Sequence, residues 1–138
     1  MERVVDIYRY RWLIEEFFKA LKTGCIYEER RFESRHALLN VLATSLPIAA
    51  ELLWMRSHVA DNPDAPAADI VTLQELNVLR KMGHRPLPPN PTAGQVLLAI
   101  AGLGGHLKRN GPPGWQVLKR GYQRLLDYTA GWSAAQKR

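Results

Sequence analysis

The residues of this chain best suited to chemistry lie between Tyr8 and Lys22, in the stretch YRYRWLIEEFFKALK. At about 100° per residue, Tyr8, Arg11, Glu15, Lys19 and Lys22 fall in one polar sector of a helix. Tyr10, Leu13, Ile14, Phe17, Ala20 and Leu21 fall on the other side and form the expected core face. A carboxylate flanked by cations and a phenol suits joint binding of a divalent metal and phosphate oxygens. The carboxylate ligates the metal, while Arg and Lys neutralise the phosphates around it. Taken alone, a helix face of Glu, Lys and Arg is most often simply solvated.

The spacing is more telling than the composition. Tyr8, Arg11, Glu15 and Lys22 are separated by two, three and six residues, which reproduces the pattern Y-x2-R-x3-E-x6-K. With Arg11-Trp12, Ile14-Glu15-Glu16-Phe17, Lys19 and Lys22-Thr23-Gly24-Cys25 around it, the segment resembles the third catalytic acid region of bacterial DDE transposases. These are the insertion-sequence enzymes that free their element through hairpin DNA ends. Weaker similarity runs through Glu29-Arg30 and the apolar helix after it. It resumes at Ile100 to Gly105 (IAGLGG) and Gly114-Trp115, which resemble the family's C-terminal dimerisation region.

The resemblance implies a ribonuclease-H-like core in which two Asp and one Glu hold two Mg2+ or Mn2+ ions. One metal activates the attacking oxygen and the other stabilises the leaving oxygen. Glu15 matches the Glu, as catalytic acid and metal ligand. Tyr8, Arg11 and Lys22 match the phosphate-gripping residues, and Lys19 and Arg30 are added as further phosphate contacts. The two Asp belong to upstream strands, and only Met1 to Asp6 precede the motif here. The chain is therefore expected to be a C-terminal piece of a DNA transposase, inactive by itself. The alternative is a non-catalytic helical module that binds DNA, or pairs with and inhibits a full-length transposase. Transposon-end DNA and a second copy, joined through the C-terminal helices, are the expected partners. A bacterial cytoplasm, close to the nucleoid, is the expected setting.

The elements that hold these residues are expected to be helices, and the fold class is mainly α. Residues 1–59 are assigned to the C-terminal helices of the ribonuclease-H-like domain, 60–69 to a linker and 70–138 to a helical dimerisation domain. A length of 138 residues allows one ordinary domain or two small ones. The net charge of +6 favours an anionic partner, most commonly nucleic acid. One cysteine, Cys25, excludes a disulfide framework, and the four histidines have no ligand spacing that indicates zinc. The N-terminus lacks the apolar stretch of a signal peptide.

Residues 1–6 read as the tail of a strand or a lead-in turn, and the first helix is expected to end near Thr23. The charged segment 25–34 offers Arg30, Arg31 and Arg35 either to phosphates or to Glu28, Glu29 and Glu33. Ser34 is placed to cap a long apolar helix from His36 to about His58. That helix reads as core rather than membrane span, because Asn40, Thr44, Ser45, Pro47 and Glu51 interrupt it. Pro47 is expected to kink it. Residues 60–69, ADNPDAPAAD, read as an exposed linker. Thr72 with Glu75 and Thr92 with Gln95 form capping boxes for two further helices, and Pro112-Pro113 precede the last. That helix carries the stripe Trp115, Leu118, Tyr122, Leu125 and Leu126. Such a stripe belongs either to a core or, as the resemblance implies, to a dimer interface.

Overall fold

The computed structural model describes residues 2–24 and 33–137. Among the described residues the protein is mainly helical and forms no strand, only an isolated antiparallel bridge between Pro66 and Thr92. Five α-helices follow one another: α1 (Glu2–Lys19), α2 (Arg35–Asp61), α3 (Leu73–Met82), α4 (Ala93–Leu103) and α5 (Trp115–Gln136). A π-helical turn, Ala20–Gly24, extends α1. Residues 2–6, expected as a strand tail or turn, are the first turns of α1. Among the described residues there is no strand beside Val4 and Val5, and the backbone satisfies itself within the helix.

The helix starts obey local chemistry. The Ser34 hydroxyl accepts from the Ala37 N–H at 3.1 Å and opens α2 one residue before the expected start. Thr72 and Glu75 make the reciprocal capping box of α3, and Thr92 and Gln95 make that of α4. α5 begins at Gly114 with no side-chain cap. The helix α2 runs through Pro47 to Asp61, and the Thr44 hydroxyl donates to the Asn40 and Val41 carbonyls just before the proline.

The core gathers Ala20 and Leu21 of the π-turn, Ala49, Leu52 and Met55 of α2, and Val78 and Leu79 of α3. Val96 and Ile100 of α4 and Leu118 and Leu125 of α5 also belong to it. It runs without a break across residues 60–69. That segment, expected as an exposed linker, is exposed at 60–64, 66, 68 and 69, and its backbone is also tied to the chain ahead of α4. Gly94 N–H donates to Pro63 O, Ala93 N–H to Ala65 O, and Ala67 N–H to Pro91 O. Ala67, Ile70 and Val71 then enter the core. A Pro/Ala/Asp composition was compatible with this because backbone groups, not side chains, make the attachment.

Only one face of the distal half of α2 is buried, through Ser45, Ala49, Leu52 and Met55. Leu39, Leu46 and Trp54 are exposed. The helix is long and apolar enough to cross a membrane by length and composition, with an 18-residue window of mean hydropathy 1.5. Here that apolar character serves packing over its second half, which meets α4, α5 and the π-turn.

α4 and α5 approach each other closely in the core. A Cβ at Gly121 would stand 1.9 Å from the Ile100 carbonyl oxygen, and one at Gly104 would stand 2.0 Å from the Val117 oxygen. The two backbones touch where the helices cross, and a methyl group on either side would force them apart. The double glycine at 104–105 therefore does more than end α4.

The apolar stripe of α5 faces this core. Trp115, Leu118, Tyr122 and Leu125 are buried, so they are not available to a second chain. The basic residues beside the stripe close the end of α4: Arg120 donates to Gly104 O at 3.3 Å and Arg124 to Leu103 O. Arg85 donates to His106 O at 3.2 Å. The guanidiniums of Arg120 and Arg124 satisfy carbonyls that a helix C-terminus leaves open, where the helix dipole also favours positive charge.

Candidate phosphate-binding face of the first helix

α1 touches the rest of the protein mainly through its last turns. Leu13, Glu16 and Phe17 are half-buried, and Ala20 and Leu21 in the π-turn are fully covered. Towards the N-terminus the helix stands free on all sides. Tyr10 and Ile14, expected on the core face, are 66% and 57% exposed. The body-facing side is therefore a narrower strip than the apolar face. Among the described residues, nothing covers the rest of that face.

On the solvent side stand the four spaced residues. Tyr8 is 69% exposed. Arg11 Nε and Glu15 Oε1 pair at 3.2 Å across one helical turn, both well exposed. Lys22 follows in the π-turn, with its side chain exposed and engaged in an interaction of its own. In a π-helical turn the backbone turns less per residue than in an α-helix, so Lys22 does not continue the α-helical row strictly. Lys19 leaves the group: its ammonium pairs with Glu16 at 3.6 Å, on the side nearer α2. Arg30 lies outside the described residues.

The cationic side of this face can hold phosphate. Arg11 presents a guanidinium already oriented by Glu15, and a phosphate oxygen can take over or share its free N–H groups. The phenol of Tyr8, one turn away, adds a neutral donor. The metal is another matter. Among the described residues Glu15 is the only carboxylate in this sector, because Glu16 is turned away from it and pairs with Lys19, and Glu15 is held by Arg11. Among the described residues no three of His, Cys, Asp or Glu converge as a metal group. Those residues by themselves do not fit a two-metal centre, which needs several carboxylate oxygens around each ion.

A second feature adjoins the helix. A cleft of about 530 Å3 lies where α1, α2 and the start of α5 meet, lined by Trp12, Glu16, Lys19, Leu53, Arg56 and Trp115. Arg56 lies over the Trp115 ring, 4.6 Å from its centre. Reading along α1 could have flagged it: Trp12, Glu16, Lys19 and Thr23 recur at spacings of four, three and four. The partners from α2 and α5 are distant in sequence and leave no local signal.

No protein-family model matches the chain.

Proposed function

We propose that this chain is a C-terminal piece of a DDE transposase, a DNA-binding helical unit that supplies one catalytic acid and cannot cleave DNA by itself. The observation that carries this reading is the set Tyr8, Arg11 and Glu15, held at the motif spacing on a solvent-exposed helix with Arg11 and Glu15 already paired. In the complete ribonuclease-H-like enzyme, Glu15 is one ligand of the Mg2+ or Mn2+ ions, and upstream Asp residues supply the others. Tyr8, Arg11 and Lys22, with Arg30, steady the phosphates. Lys19, engaged by Glu16, contributes less.

The homodimer joins this reading in a changed form. Since the α5 stripe is internal, pairing through the C-terminal helices falls to the exposed residues Tyr128 and Trp132, the latter carrying Lys81 over its ring at 4.0 Å.

Fluorescence anisotropy with labelled duplex DNA, over a range of salt concentrations, tests the phosphate role. Arg11→Ala and Lys22→Ala should each weaken binding several-fold, equally for unrelated sequences, and each should lower the salt slope by about one. Glu15→Ala should not weaken it, because it removes a negative charge. Titration calorimetry with Mn2+ on the chain alone should show no tight site. Unchanged DNA affinity in both cation variants would refute the phosphate role. A tight Mn2+ site lost in Glu15→Ala would refute incompleteness.

A further inference from the structure

The side of α1 that points away from the body carries a pattern of its own. Val4, Ile7, Arg11, Ile14 and Phe18 are spaced three, four, three and four residues apart. That is the spacing of the a and d positions of a coiled coil, which keeps one seam against a partner helix. The four apolar members are 61%, 65%, 57% and 51% exposed. The body-facing side, Leu13, Phe17 and Ala20, lies opposite, so the seam packs against nothing among the described residues. Tyr8 and Tyr10 flank it, also exposed.

We propose that this seam pairs with the same seam of a second copy of the chain, in antiparallel orientation. Charge argues for a copy of itself. From Glu2 to Lys19 the helix has four acidic and four basic residues, so two copies meet without net repulsion although the whole chain is +6. Register argues for the antiparallel arrangement. In parallel pairing Arg11 would meet Arg11, whereas the antiparallel register sets Ile7 against Phe18 and Arg11 against Ile14. Arg11, already paired with Glu15, can extend past Ile14 to water. The size is adequate. An 18-residue helix spans about 27 Å. Covering Tyr8, Tyr10, Phe18, Val4, Ile7 and Ile14 on both copies removes on the order of 1,000 Å2, near the lower bound of a specific interface.

The pairing covers Arg11 and crowds Tyr8 and Glu15, the residues assigned above to phosphate. Self-association and DNA binding through α1 therefore compete. That consequence alone rests on the proposed function, and the pairing itself does not.

Sedimentation equilibrium on the full chain, with melting followed by circular dichroism, is the test. Ile14→Glu and Ile7→Glu place a charge in the seam and should weaken association about 30-fold or more. Because both sites are exposed in the single chain, the melting of dilute samples should not change. In a Cys25→Ser background, a mixture of Ile7→Cys and Phe18→Cys chains should form the mixed disulfide dimer, while Ile7→Cys alone should not. A single chain at all concentrations, or association unaffected by both Glu variants, would overturn the proposal. Efficient cross-linking of Ile7→Cys alone would overturn the antiparallel register. Duplex DNA should dissociate the pair. If the pair forms but ignores DNA, the phosphate role fails and the seam stands.

Discussion

The α4–α5 crossing and the free end of α1 are opposite ways of using a helix. At the crossing, two glycines let backbones touch, and the carbonyls at the end of α4 are closed by Arg120 and Arg124. At α1, large apolar side chains stand in water and the charged pair is solvated. The first region is committed to holding the protein together and has no surface to offer. The second adds little to the core beyond its last turns and leaves most of its chemistry facing outward. Function is therefore to be sought on α1, and stability between α2, α4 and α5.

The sharpest way to break this contrast is Gly121→Ala. The added methyl meets the Ile100 carbonyl, so a loss of about 3 kcal/mol or more is expected, lowering the melting temperature by roughly 10 °C. Unchanged melting would mean the crossing is not as close as described. Next comes Leu118→Ala, which empties a fully buried site and should cost about 3 kcal/mol, set against Ile14→Ala, which should stay within ~0.5 kcal/mol. Equal costs from urea titrations would erase the distinction between the two regions.

Tyr122 gives a test by pH. Burial, then the nearby charges of Glu51 and Glu75, push its phenol from 10.0 up to about 12. The folded state thus favours the protonated phenol more than the unfolded chain does. Its contribution is fully present below pH 10 and is lost as pH rises through 12, on the order of 2 kcal/mol in all. Tyr122→Phe should flatten that alkaline loss in stability measured between pH 9 and 12. If the two curves stay parallel, the ring is not held as described. Among the destabilising changes, a smaller loss is expected at the cap of α3, where Thr72→Ala should cost about 1 kcal/mol in urea titrations.

Much of the fold was legible because much of it is local. Ser34, Thr72 and Thr92 act on backbone three residues ahead, so their roles can be read without knowing what else is near. The Arg11–Glu15 pair is local in the same sense, one turn apart. The attachment of residues 63–67 to 91–94 was hidden, since it runs through backbone groups that every sequence has. Tyr10 and Ile14 were assigned to the core because apolar residues on one helix face usually find a partner. Only Leu13, Phe17, Ala20 and Leu21 do so here.

The sequence by itself determined where α2, α3 and α4 begin, that the molecule is mainly helical, and that a phenol, a guanidinium and a carboxylate share one stretch of α1. Each of these depends on neighbours within one or two turns. Only the tertiary structure decided that the α5 stripe lies inside, that Gly104 and Gly121 are points of backbone contact, and that α1 turns a 3-4-3-4 seam to solvent. Those outcomes depend on which surfaces meet across long stretches of chain. Apolar spacing states that a face must be covered, but not by what.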